Sequence, residues 1–156
     1  RIEISRLLEE FNLSDATRAT NLPKEMVESL KKQPQFFKLM HGDVLHHYPA
    51  GKAFVCENVE EELPRFLERG ITIAGWLVGG KNIRAEYEAG VIEQEMFKES
   101  EPFLDKINGS RRFAWSFAED VEGVYKEEEA WFEMHFSLPK GSYATVIIEE
   151  LIKVSL

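Results

Sequence analysis

A single cysteine, Cys56, occurs in 156 residues. No intramolecular disulfide can form and no thiolate metal cluster can be built, a pattern that fits a reducing, cytoplasmic setting. Cys56 reads as a small buried apolar residue rather than a reactive thiol. Positive charge is scarce as well: 19 Lys and Arg stand against 28 Asp and Glu, for a formal net charge of -9. No long-range positive field draws the whole chain toward nucleic acid or an anionic membrane, so any contact with RNA has to be local. The apolar runs stop far short of a membrane span, and the opening Arg1-Ile2-Glu3 has neither the basic head nor the apolar core of a signal peptide. Neither secretion nor membrane insertion is expected. Internal repeats and low-complexity segments are lacking too.

What is present suffices for a globular core, since 44% of residues are hydrophobic and 12% aromatic. The chain enters at once into an amphipathic pattern, Ile4, Leu7, Leu8 and Phe11, with no initiating Met and no cap, and reads as a piece of something longer. A first helix is expected from Ile2 to Phe11, then a polar separator (Ser14, Asp15, Thr17, Thr20, Asn21), then a second helix starting near Pro23 and ending by Gln33-Pro34. Phe36 to Met40, Val44 to Tyr48 and Ala53 to Cys56 read as short strands, joined by turns at His41-Gly42-Asp43 and Pro49-Ala50-Gly51. Asn58 followed by Glu61 resembles a capping box, and the helix it opens stops at Gly70 after Arg69.

Ile71 to Val78 is a strand candidate, Arg84 to Phe97 a charged helix broken or kinked near Gly90, and Glu101 to Ile107 one more short helix. A strand is expected from Arg111 to Phe117, then an acidic loop, then a strand from Trp131 to Leu138 whose Phe132, Met134, Phe136 and Leu138 share a buried face. Short mixed or antiparallel strands with packed helices place the chain in the α+β class.

Several clusters invite chemistry. In "FSLPKGSYATVIIEELIK", an alternating strand breaks at Pro139-Lys140-Gly141 and changes to a helical period. Gly141 lets the backbone turn, Ser142 can cap the helix, and the amides of Tyr143 to Thr145 would favour an anion; the same residues equally make a compact strand-to-helix connection. His41, His46 and His47 with Asp43 suggest a metal, but His46 and His47 are adjacent and would point to opposite faces of a strand, so hydrogen-bonded or solvated histidines and no metal are expected. Glu127-Glu128-Glu129 reads as a soluble loop. The bases fall in local groups, Lys31-Lys32 with Lys38, Lys81 with Arg84, and Arg111-Arg112, which suit either phosphate contacts or plain solvated surface.

Phe136 to Thr145, followed by Glu149-Glu150-Leu151, resembles the carboxyl-terminal motif of the TruD family of tRNA pseudouridine synthases. The likeness extends upstream through Leu39-Met40-His41-Gly42-Asp43, Val55 to Glu62, Gly75 to Lys81, Glu86 to Glu93 and Ser110-Arg111-Arg112, in the family's order. It implies a pseudouridine synthase catalytic fold with a family-specific insertion domain threaded into it. Residues 1–34 would be a helical tail of the catalytic module and a linker, 35–117 the insertion domain, and 118–156 the returning strand and helix. The intact enzyme would isomerise uridine in the D arm of tRNA without metal or organic cofactor, using an aspartate from a Gly-Leu-Lys-Asp-Arg-like segment. That segment does not occur here, so the chain alone should be catalytically silent.

The resemblance further implies that Gly141, Ala144 and Thr145 lie near the active cleft and that Lys81, Arg84, Arg111 and Arg112 contact tRNA. Glu149 stands where the family commonly has Arg, a departure within the motif. The final strand and helix would need their apolar faces covered, either by self-association or by the first helix. A second reading, from the net charge, is a non-catalytic acidic domain that binds a basic protein partner.

Overall fold

The computed structural model of the chain describes residues 2–152; Arg1 and residues 153–156, which the expected domain boundaries include, lie outside the described residues. The chain divides into two compact units, the first ending at Ala114 and the second beginning at Trp115.

The first unit opens with three short helices, α1 (Ile2–Glu10), α2 (Leu13–Thr20) and α3 (Lys24–Lys32). The polar stretch expected to separate two helices is itself α2. Asn12 caps it by accepting the Asp15 amide at 3.1 Å, and Asn21 closes it in the left-handed region at φ 54°. Thr17 and Thr20 return their hydroxyls to the carbonyls of Leu13 and Ala16, 2.7 Å each, so polar side chains sit in a helix without exposing unpaired groups. Leu8, Ala16, Val27 and Leu30 from these helices form one buried cluster with Met40 and Ala89. Lys31 donates to the carbonyls of Leu8 and, at 2.8 Å, of Phe11, capping the end of α1 from α3.

Residues 36–40 are not a strand. Gln33 donates its side-chain amide to the Leu39 carbonyl at 2.7 Å and accepts the Leu39 amide at 2.8 Å, supplying the pairing that a neighbouring strand would otherwise give. The strands that do form are β1 (Val44–His47), β2 (Ala53–Val55), β3 (Ile71–Leu77) and β4 (Ser110–Phe113), in the antiparallel order β2-β1-β3-β4. Central β3 is buried on both faces from Ile71 to Ala74, with Thr72 its one polar residue there, as in a strand covered on both sides. Between β2 and β3 runs α4 (Val59–Leu67), capped by the Asn58 side chain on the amides of Glu60 and Glu61. It ends with Arg69, not Gly70, in the left-handed conformation, φ 63°.

Between β3 and β4 lie α5 (Tyr87–Phe97), unbroken through Gly90, and a 3-10 segment (Lys98–Lys106). The strand expected over 111–117 is cut short at Phe113.

In the second unit, the stretch expected to be an acidic loop is a strand, β5 (Glu119–Lys126), paired antiparallel with β6 (Trp131–Ser137), and the Glu127-Glu128-Glu129 run is their turn. Val121, Val124 and Tyr125 among the acids of β5 give it strand chemistry once β6 is beside it. Helix α6 spans Ala144–Ile152. Met134, Phe136 and Leu138 are half-buried, but Phe132 is exposed. No helix among the described residues is long and apolar enough to cross a membrane.

Candidate functional site

Arg111 stands on β4 directly across from Trp76 of β3. Its side chain is 5% exposed and holds the Glu93 carboxylate of α5 through two nitrogens, Nη1 at 2.6 Å and Nη2 at 2.8 Å. Nε and Nη2 also donate to the Ile83 carbonyl, at 2.9 and 2.6 Å, and Nη1 to the Ala74 carbonyl at 3.1 Å. Five donors serve five bonds, which leaves none for a phosphate. The expectation of Arg111 as an RNA contact therefore gives way to a positioning role: it fastens α5 and the 77–84 connection to the sheet. Arg112 points to the other face of β4, opposite Gly75, and is exposed.

Arg84 lies beside this anchor. Its guanidinium carbon sits 3.8 Å from the centre of the Trp76 ring, with the Glu101 carboxylate 4.0 Å away. Trp76 is 6% exposed and meets Phe97 edge to face, so the indole is a rigid base for the cation. Lys81 is exposed. The glycines before it do not cradle an anion: the Gly80 amide donates to the carbonyls of Leu104 and Ile107, 3.0 Å each. Of the remaining basic group, Lys31 caps α1, and Lys38 is buried against the carbonyls of Gln33 and Gln35, with burial lowering its pKa against the opposing pull of Glu9.

The joint before α6 forms as expected at Gly141 and differently at Ser142. Gly141 takes φ +91°, with open space where a side chain would stand. Ser142 meets the Ser116 hydroxyl at 2.9 Å, and its amide closes a turn on the Pro139 carbonyl at 3.1 Å. Ala144 and Thr145 open the helix and are exposed. Ala144 borders a groove of about 600 Å³ within the second unit, together with Asp120, His135 and Phe136 to Leu138. His135 Nε2 lies 2.8 Å from a Glu133 carboxylate oxygen.

The three clustered histidines go separate ways. His41 stacks on Tyr87 at 4.0 Å and meets Glu88 at 3.1 Å; His46 packs edge-on to Phe113; His47 faces Phe54 and Arg65. No group of three or more candidate ligands for a metal ion occurs among the described residues. Between them, Gly42 fastens the sheet to α5. Its amide donates to the Cys56 carbonyl at 2.8 Å, and its carbonyl accepts the Glu86 amide at 2.9 Å. Cys56 is fully buried; burial, reinforced by the carboxylates of Asp43 and Glu62, pushes its thiol pKa up to about 12.

The first unit is thus an antiparallel sheet with helices on its faces, and a hairpin-and-helix unit follows it, an α+β protein in which Arg84 rests on the Trp76 ring. Residues 23–151 match the family described as tRNA pseudouridine synthase D (TruD), and the chain belongs to that family. It is 51% identical over 155 residues to a tRNA pseudouridine synthase D of Wolinella succinogenes, covering 97% of this chain and 41% of that protein. With a tRNA pseudouridine synthase D of Campylobacter jejuni it shares 43% identity over 161 residues, covering 100% of this chain and 42% of the relative. The chain therefore spans about two fifths of the length of the relatives it matches.

A crystal structure of the putative tRNA pseudouridine synthase D from Methanosarcina mazei has the same fold, with a TM-score of 0.57 at 22% identity over 75% of this chain and 32% of that one. Sequence reasoning had named Trp76 and Glu93 only as parts of longer motifs. Their roles depend on contacts between β3, β4 and α5 that spacing does not encode.

Proposed function

We propose that this chain is the RNA-positioning part of an enzyme that isomerises uridine to pseudouridine in the D arm of tRNA, and that the nucleophilic aspartate is supplied from outside these residues. One observation carries the reading. Proteins named tRNA pseudouridine synthase D match almost the whole chain, yet the chain spans only about 41% of the first of them and contains no Gly-Leu-Lys-Asp-Arg-like segment. The reaction requires a carboxylate nucleophile and a base withdrawn from its stack, and no metal or organic cofactor. A cytoplasmic setting follows from a tRNA substrate and the lone buried thiol.

Residues 35–117 would form most of the insertion domain and 118–156 the return into the catalytic module, a division supported by the contact boundary at Ala114 and Trp115. Residues 1–34, the expected helical tail of the catalytic module, share a core with Met40 and Ala89 of that insertion domain. Lys81, Arg84 and Arg112 are the tRNA-facing cations, and Arg111 fastens the 77–84 connection that carries the first two. Gly141, Ala144 and Thr145 border the cleft, where the open space around Gly141 and the neighbouring groove leave room for a polynucleotide.

The test uses the full-length enzyme. Reversing Lys81 and Arg112 to Glu should weaken tRNA binding by about tenfold or more and flatten the salt dependence, since each lost phosphate contact removes close to one unit of slope. Unchanged affinity with capture of a basic protein instead would favour the acidic interaction domain. The isolated chain incubated with tRNA should form no pseudouridine. Its open α6 face should also lead it to self-associate, measurable by light scattering.

A further inference from the structure

The groove over Arg84 has a composition that ordinary phosphate binding does not explain. It measures about 460 Å³, within the range of small-molecule sites, and its lining includes Arg84, Glu86, Glu93, Gln94 and Glu101. Glu93 is neutralised by Arg111 and also accepts the Ala85 amide at 3.1 Å. Glu101 is half exposed, with its carboxylate 4.0 Å from Arg84. A phosphate entering here would meet acids on several sides and a cation that is already partly matched. A flat, uncharged group would meet something different. Arg84 rests on a buried indole, 3.8 Å from the ring centre, while its side chain remains 38% exposed. A guanidinium supported on one side by Trp76 presents its other side as a planar, weakly hydrated cation, the kind of surface on which unpaired bases of RNA stack.

We infer that the Arg84–Trp76 stack is a platform for an unpaired guanine base of the RNA substrate, with the Glu101 carboxylate accepting from the base's pairing edge. Guanine is the base that fits, because its N1–H and N2–H are adjacent donors that one carboxylate can accept together. Adenine and cytosine offer one exocyclic amine beside an acceptor. Uracil offers one N–H between two carbonyls that a carboxylate repels. The acids of this groove, an obstacle to phosphate, thereby become the elements that select the base. The inference rests on the proposed tRNA function and refines it from general grip to recognition of one nucleotide.

The experiment compares single variants of the full-length enzyme in tRNA binding across a salt series. Arg84→Lys keeps the charge and removes the planar surface; it should weaken binding about tenfold while leaving the salt slope as in wild type. Glu101→Gln should weaken binding several-fold. A carboxylate that merely repels the RNA backbone gives the opposite sign, tighter binding by Glu101→Gln, and that result overturns the inference. So does an Arg84→Lys variant with wild-type affinity. Thermal unfolding of both variants within a few degrees of wild type assigns the losses to contact with RNA; an Arg84→Lys loss that disappears once binding is corrected for the folded fraction overturns the inference. If the wild-type enzyme binds no tRNA at all, the functional reading falls and this inference with it. If wild type binds and neither variant differs from it, this inference alone falls.

Discussion

Up to Ala114 the chain buries Leu8, Leu39, Leu45 and Ile71 almost completely, whereas no described residue from Trp115 onward is buried. Both units have regular elements and apolar residues in regular patterns. The first closes its pattern on itself, with α4 and α5 on a four-stranded sheet. The second has Trp131, Phe132, Val146, Leu151 and Ile152 exposed on a two-stranded hairpin and one helix, fewer strands than independent stability usually requires. Patterning sets the shape of an element, and a partner surface decides its stability. For the second unit, the proposed partner is the remainder of the catalytic module.

Two of the left-handed glycines, one in each unit, give the widest test of that contrast. A Cβ on Gly42 would stand 1.9 Å from the Glu86 carbonyl oxygen, at φ +84°. Gly42→Ala should cost about 4 kcal/mol or more in chemical denaturation, because it separates α5 from the sheet. Gly141→Ala meets open space and only the backbone penalty, about 1–2 kcal/mol, confined to the second unit. Next in size is Glu93→Ala, which leaves the buried Arg111 guanidinium without its counter-charge and should cost about 3–5 kcal/mol.

Leu45→Ala in the first unit should cost about 2–5 kcal/mol. In the isolated chain Leu151→Ala should cost well under about 1 kcal/mol, since Leu151 is 60% exposed. Repeating Leu151→Ala in the full-length protein sharpens the comparison: a larger cost there means that the α6 face has been covered. The smallest effect concerns Cys56. Its folded pKa of about 12 lies above that of an unfolded thiol, so folding is favoured while the thiol stays protonated. That stability is intact below the unfolded pKa and is lost as pH rises from there toward about 12. Below this window Cys56 should resist alkylation until the protein is denatured, as measured by mass spectrometry.

The sequence made some elements legible because their signals are local. Asn58 with Glu61 announced α4, Gln33-Pro34 marked the end of α3, and the alternation after Trp131 marked β6. Elements whose stability comes from elsewhere were not legible. Helix α2 presents mostly polar residues and is paired internally by Thr17 and Thr20, while β5 is acidic and becomes a strand only against β6. Residues 36–40 looked extended, but Gln33 took the place of a neighbouring strand. At the site, Arg111 and Arg112 read as equivalent neighbours. Strand geometry sends them to opposite faces, and a carboxylate 18 residues earlier in sequence takes one of them into the fold.

Gly42 bonds to Cys56 on one side and to Glu86 on the other, so the excursion through residues 57–85 leaves and returns at a single residue. Both bonds are made by main-chain atoms, and neither depends on what the excursion contains. Extra residues at its turns would cost only a slowly growing entropy of closure, and the two ends would still meet at the same point. Evolution can therefore lengthen the turns of that stretch, with β3 still buried inside it, while the one amino acid lacking a side chain keeps its place.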